Sequence, residues 1–224
     1  MVNYSTVLKY RKDFFITMSQ NKKYTLTGSL FLILFLIWTF LVKFNTSFIQ
    51  NFDLTFQKIL KTITNPTMTS IVKGITFIGS PKMTIILCLI LCVYIYFKFG
   101  RQNTLWALIV LVGGNLLNFI VKHMIQRARP IDKLIPQSGY SYPSGHTLGT
   151  ALLVFLLVVF LTYNIKNQAL KLFFSCLGAV WVVIMAATRI YLHVHYPSDT
   201  FASMLLAVVI ISFSLNLKHK YLQD

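Results

Sequence analysis

Three short polar segments carry the residues whose types and spacing suit chemistry. Pro143-Ser144-Gly145-His146 stands where a turn-rich loop gives way to a long apolar run. Pro143 restricts the residue before it. Ser144 suits a helix N-cap, Gly145 lets a ligand approach the backbone, and His146 falls in the first helical turn. The free N–H groups and dipole of such a terminus attract an anion. A titratable imidazole there can hand a proton to a leaving group. Upstream, Lys122 and Arg129 stand seven residues apart just before Pro130. A helix continuing through both would put them on one face, a point charge and a fork suited to phosphate oxygens. Downstream, Thr188-Arg189 is followed by His195 and then, four residues on, by Asp199. Asp199 can accept from one ring nitrogen and leave the other free as a nucleophile.

Taken singly, each segment has a plainer reading. Basic residues at a membrane edge usually snorkel. A Ser-Gly at a helix start is usually a cap, and a His–Asp pair four apart is usually a structural hydrogen bond. The three segments in order, on one face of a helical protein, point instead to one site. Arg127, His123, His193 and the tyrosines Tyr140, Tyr142 and Tyr191 stand outside the pattern. Arg127 divides between headgroup contact and solvation at the membrane edge, and the tyrosines between a lipid entrance and an interfacial belt.

Composition sets the elements that must position these residues. Of 224 residues 56% are hydrophobic and only 12% charged, which is too apolar for an ordinary soluble domain. Apolar runs near the roughly 20 residues that cross a bilayer recur along the chain. The expected class is an all-α, polytopic membrane protein with six transmembrane helices in a bundle. The net charge is +16, with no Glu, and Asp13, Asp53, Asp132, Asp199 and Asp224 are the acids. The bases sit between apolar runs without aromatic interleaving, so anionic lipid headgroups, not nucleic acid, are the expected partner. Only Asp132 and Asp199 lie near the polar segments, too few carboxylates for a two-metal centre. No metal and no cofactor are therefore expected. Cys88, Cys92 and Cys176 lie inside apolar runs and read as small buried hydrophobes.

Along the chain, residues 1–24 read as a basic cytoplasmic lead, residues 25–217 as the six-helix domain and residues 218–224 as a basic tail. No cleavable signal peptide is evident. The expected spans are Thr25–Val42, with Trp38 and Phe40 as interfacial anchors, then Lys82–Phe97, Thr104–Val121, Ser144–Tyr163, Leu170–Ala187 and Ser198–Leu217. Between the first two, residues 43–82 read as interfacial helices broken at Asn65-Pro66, the first of them amphipathic. Gly113-Gly114 permits close packing, and Asn115 and Asn118 suit interhelical hydrogen bonds. With the site cations set aside, the remaining bases place both termini in the cytoplasm and the site at the outer face of the cell membrane. Nothing in the sequence specifies an oligomeric state.

The segments resemble the type 2 phosphatidic acid phosphatase family, which includes lipid phosphate phosphatases and bacterial diphosphate-lipid phosphatases. Its pattern is Lys, six residues, Arg-Pro; then Pro-Ser-Gly-His; then Ser-Arg, five residues, His, three residues, Asp. All three spacings match over about residues 66–217. The one departure is Thr188 for the usual Ser, which keeps the hydroxyl. The resemblance implies His195 as a nucleophile that forms a phosphohistidine, Asp199 as its orienting partner and His146 as the general acid. It implies Lys122, Arg129, Ser144, Gly145 and Arg189 as the phosphate cradle. The expectation is a metal-independent membrane phosphatase acting on a lipid phosphomonoester or diphosphate, with undecaprenyl diphosphate and phosphatidylglycerophosphate the leading substrates. The alternative is a protein that binds or translocates a lipid phosphate without turnover, which would not need the His195–Asp199 pair together with His146. A soluble relative that holds vanadate is set aside by the membrane spans.

Overall fold

The computed structural model describes the backbone of residues 4–221 and the side chains of residues 21–218. Among the described residues every regular element is helical. In order they are α1 (Tyr4–Lys43), α2 (Ser47–Thr62), α3 (Pro66–Ile78), α4 (Pro81–Leu108), a π-helical turn (Ile109–Gly113), α5 (Gly114–Ile125), α6 (Gly145–Leu161), α7 (Gln168–Tyr191) and α8 (Pro197–Tyr221). Four stretches are long and apolar enough to cross a membrane: Asn21–Lys43, Pro81–Ile125, Gln168–Tyr191 and Pro197–Lys218. The lead is not separate from the first long helix, because α1 runs through it without a break. The side chains of Lys9, Arg11 and Lys12, and the end of the basic tail, lie outside the described residues.

Short polar residues start the helices where the sequence turns. Asn65 caps α3, its side chain accepting from Met68 N at 2.8 Å, with Pro66 in the first turn. Ser80 does the same for α4 and Asn167 for α7. Inside α4, Gly100 has φ +79°, a conformation that favours glycine, and it divides the element into two arms. The arms, the second of them continued by the π-helical turn and α5, share one cavity, which Thr84 and Cys88 line from the first and Leu111 and Asn115 from that continuation. Thr84 and Asn115 also both stand beside Gly149.

Helix α6 is the pivot of the bundle and packs against α4, α5, α7 and α8. Leu148, Leu152 and Leu156 on it are completely buried. A Cβ at Gly114 would collide with Leu152 Cδ1, so the expected close packing falls on that glycine, whereas Gly113 has open space. The two asparagines behave differently from the expectation. Asn115 Nδ2 donates to Leu111 O of its own helix at 2.7 Å, and Asn118 Oδ1 is buried without a partner. Helix α1 lies along α8. Trp38 is no simple interfacial anchor, because its indole N–H donates to Ser198 O at 3.0 Å and its ring packs on Phe52 and Phe201. Phe40 is exposed. Cys92 is buried and Cys88 half-buried, but Cys176 is exposed on α7.

Residues 43–82 form the two helices α2 and α3. Phe48, Leu54, Phe56 and Ile59 of α2 are exposed, whereas Ile49 and Asp53 are buried against the bundle. That pattern leaves one apolar face outside and one acidic group inside. The C-termini of α5 and α7 and the N-termini of α6 and α8 converge at one end of the bundle, around the loop of residues 126–144.

Candidate active site

The three polar segments meet at that end. A cavity of about 680 Å³ has Lys122, Arg129, Gln137, Gly145, His146 and His195 at its polar end. It continues between the arms of α4 along apolar side chains that include Ile85, Leu89, Leu111 and Leu116. A further cavity of about 540 Å³ between α6 and α7 is apolar and holds no titratable group.

Helix α5 ends at Ile125 because Gln126 turns left-handed, with φ 54°. Lys122 and Arg129 therefore do not share a helix face as the spacing suggested. Arg129 reaches the site from the loop. Its Nε donates to Ser138 O and Gly139 O at 3.2 and 3.0 Å, and its Nη1 to Val194 O at 2.5 Å. Lys122 Nζ donates to Tyr140 O, Ser141 O and Pro143 O at 2.9, 3.4 and 2.8 Å. Both cations hold the loop by its carbonyls.

His195 is buried at the cavity wall. Arg129 Nη1 donates to its Nε2 at 3.1 Å, so Nε2 carries the lone pair and the ring proton is assigned to Nδ1. Nδ1 stands 3.4 Å from Asp199 Oδ2 but out of hydrogen-bond alignment. Asp199 is completely buried. Its Oδ2 accepts from the Ser141 hydroxyl and from Tyr196 N at 2.9 Å, and its Oδ1 accepts from Arg127 Nη1 at 2.7 Å. A neighbouring carboxylate such as Asp199 acts to raise the pKa of a histidine such as His195. Burial is the larger effect and pushes it down to about 4, with Asp199 opposing and Arg129 and Arg189 adding to the depression.

Ser144 caps α6: its hydroxyl accepts from Thr147 Oγ1 at 3.1 Å and, at 3.5 Å, from Thr147 N. It is fully buried and turned to its own helix, whereas Gly145 and His146 face the cavity. The first-turn amides of Gly145 and His146 have no intrahelical acceptor by position. Arg189 is 1% exposed. Its Nη1 donates to Thr76 Oγ1 of α3 at 2.8 Å and its Nη2 to Gln137 Oε1 at 3.0 Å. Its Nε is buried without a partner. Thr188, at the family's Ser position, donates to Met185 O at 2.7 Å within its own helix. Among the described residues no cluster of His, Cys, Asp or Glu suits a metal ion.

Residues 103–222, more than half of the chain, match the model of the PAP2 superfamily. The chain belongs to that superfamily. It is 27% identical over 171 residues to phosphatidylglycerophosphatase B of Bacillus subtilis, covering 74% of this chain and 83% of the relative. It is 40% identical over 77 residues to phosphatidylglycerophosphatase B of Haemophilus influenzae, covering 34% of this chain and 32% of that protein. Among solved structures, the transmembrane PAP2 type phosphatidylglycerolphosphate phosphatase from Bacillus subtilis superposes with a TM-score of 0.79 at 24% identity. That likeness covers 87% of this chain and 97% of the other. Aquifex aeolicus LpxE gives 0.58 at 18% identity over 72% and 93%. The protein is a multi-pass membrane lipid phosphatase of the PAP2 type.

Sequence reasoning missed Asp53, Arg127, Ser141 and Gln137. Arg127 is neither a headgroup contact nor a solvated edge residue. It donates to Asp199 Oδ1, Ser198 Oγ and Asp53 Oδ2, each at 2.7 Å, and its guanidinium lies 4.1 Å from the Tyr196 ring centre. Burial would weaken its charge, but Asp199 and Asp53 raise its pKa on balance. A signal for Asp53 was present: it follows Ile49 by four residues, so a carboxylate sits on the inward stripe of an otherwise basic helix. His193 is buried and pairs with Asp132 at 2.7 Å, away from the cavity lining.

Proposed function

We propose that this PAP2 phosphatase hydrolyses a lipid phosphate by transfer to His195, with phosphatidylglycerophosphate the leading substrate and undecaprenyl diphosphate the runner-up. One observation carries the reading: Arg129 Nη1 stands 3.1 Å from His195 Nε2 at the wall of a cationic cavity, a contact that assigns Nε2 the acceptor role. The names of the B. subtilis and H. influenzae relatives favour phosphatidylglycerophosphate.

The reaction divides into two displacements. Nε2 attacks phosphorus, the P–O bond to the lipid breaks, and His146 supplies the proton to the departing oxygen. Water, deprotonated by His146, then attacks the phosphohistidine and releases phosphate. The charge on the three equatorial oxygens needs donors already in place. Lys122, Arg129, Arg189 and the first-turn amides of α6 are those donors. The unpartnered Arg189 Nε is a donor that lacks an acceptor in the free protein. Ser144 serves the cradle by capping α6, and Asp199 holds the proton-bearing side of the His195 ring. No metal is required by this scheme. The apolar length of the cavity takes the lipid tail.

The same reading places six spans in the membrane. Gly100 splits Pro81–Ile125 into two crossings, and Gly145–Leu161, though short, adds a sixth. The termini then lie in the cytoplasm, the site at the outer face, and α2 and α3 at the interface.

Purified protein given a panel of radiolabelled lipid phosphates tests the proposal. The expected result is release of phosphate with an acid-labile phosphoenzyme that His195→Ala abolishes. A phosphoenzyme that survives in His195→Ala refutes the assigned nucleophile. Tight binding of the panel without release favours the binding or translocating alternative.

A further inference from the structure

Two acidic residues of this acid-poor chain converge on a single arginine next to the site. Asp53 lies on α2, 145 residues before Ser198. Its Oδ1 accepts from Ser198 N and its Oδ2 from Ser198 Oγ, each at 2.8 Å, and Oδ2 also accepts from Arg127 Nη2 at 2.7 Å. Every contact is a donor to the Asp53 carboxylate and opposes the rise in pKa that burial causes. It is only 4% exposed. Arg127 in turn grips Asp199 through Oδ1 alone, while Oδ2 accepts from Ser141 and Tyr196 N and stands 3.4 Å from His195 Nδ1. The charges alternate: Asp53 negative, Arg127 positive, Asp199 negative, His195 titratable.

We propose that Asp53 and Arg127 are positioning residues for phosphoryl transfer, a charge chain that fixes the Asp199 carboxylate and sets how strongly it acts on His195. This rests on His195 being the nucleophile. Arg127 draws on the negative charge of Asp199, and Asp53 limits that draw by neutralising Arg127. Removing Asp53 leaves Arg127 unopposed and weakens the support of the imidazolium. Removing Arg127 frees Asp199 and strengthens it. The two substitutions therefore move the His195 titration in opposite directions, which no general loss of packing produces. The other groups facing His195 stay constant: Arg129 from the loop, Arg189 from α7 and His146 from α6, with Lys122 of α5 acting through Asp199.

The structure also supplies a chemical handle. A cavity of about 470 Å³ opens onto Asp53, Arg127 and Tyr196 and is separate from the lining of the catalytic one. It has room for a free guanidinium ion if the Arg127 side chain is cut back.

The test is a pH titration of histidine ring carbons by NMR in the full-length protein in detergent, with the His195 signal assigned by its loss in His195→Gln. Asp53→Asn is expected to lower the His195 titration by about one pH unit and Arg127→Gln to raise it by about as much. The double variant is expected to return near wild type. In parallel, each single variant is expected to lose about 10- to 100-fold in kcat, the effect of one charge-assisted hydrogen bond, with KM little changed. Guanidinium chloride at low concentration is expected to restore part of the loss in Arg127→Ala but none in Asp53→Asn. An unmoved His195 signal, or shifts of the same sign in both variants, overturns the proposal. If Arg127→Gln does not fold, Arg127→Lys with guanidinium-rescued Arg127→Ala decides it, and absence of rescue counts against it. NMR shifts as expected with kcat unaffected would instead overturn the assignment of His195 as nucleophile.

Discussion

Acid should destabilise this protein through His195 in particular. The imidazole is 2% exposed, and its pKa is pushed down from the ordinary 6.5 to about 4. Between those values the folded protein binds fewer protons at this ring than the unfolded chain does. Unfolding therefore takes up a proton there, and stability must fall as the pH drops from 6.5 toward 4, then level off below. The shift corresponds to about 3 kcal/mol across the window. For a chain of this length that is a fall in Tm of about 6–12 °C. Thermal unfolding in a mild non-ionic detergent, followed by intrinsic fluorescence across the window, reads it directly. His195→Gln keeps a polar planar side chain without the titration, so its Tm should depend less on pH by that amount. The acid limb of kcat/KM for the wild type should fall in the same low region, because Nε2 loses its lone pair on protonation. Parallel Tm curves for wild type and His195→Gln, or an acid limb near 6.5, would refute the reasoning that burial outweighs Asp199.

Phosphate release should be unchanged within about two-fold in chelator, since no carboxylate cluster is available to hold a divalent ion; loss in chelator with recovery on adding Mg²⁺ would count against the scheme. Lys122→Met should cost stability as well as activity, because the three loop carbonyls it serves lose a charged donor worth about 1.5–3 kcal/mol for each bond. At about 2–4 °C per kcal/mol, a Tm fall of roughly 9–36 °C alongside lost activity is the expected reading, and an unchanged Tm would show that the lysine is not a clamp.

The segments that meet at the candidate site were legible because each is local. Pro143 to His146 forms a helix start, and His195 to Asp199 spans one turn into α8. The break at Asn65-Pro66 is also local and falls where expected. What the sequence did not reveal is held together over long separations. Asp53 meets Ser198 and Arg127 from another helix, and Thr76 meets Arg189 113 residues away. No spacing rule reaches that far. The π-helical turn at Ile109–Gly113 and the left-handed Gln126 were hidden for another reason. Neither residue type demands them, and tertiary packing sets both. The sequence shows the acid beside His195, which does act to raise its pKa, but not the depth of burial that outweighs it.

The four cations around the site sort by their partners. Lys122, Arg129 and Arg189 are satisfied mainly by carbonyls, a hydroxyl and an amide oxygen, and among the described residues none has a carboxylate within ion-pair reach. Neutral dipoles orient these charges without cancelling them. Their field therefore remains available to an anion entering the cavity, which is what a displacement at phosphorus requires. Arg127 stands two residues before Arg129 and reads alike in the sequence, yet two carboxylates pair with its charge. Its charge is paired locally, and one of its two carboxylate partners is Asp199. A chain with five acids and no Glu commits two of them to this arginine. Helix α2 thus does more than cover the bundle: through the carboxylate of Asp53 it is joined to Arg127 and Ser198 beside the candidate site.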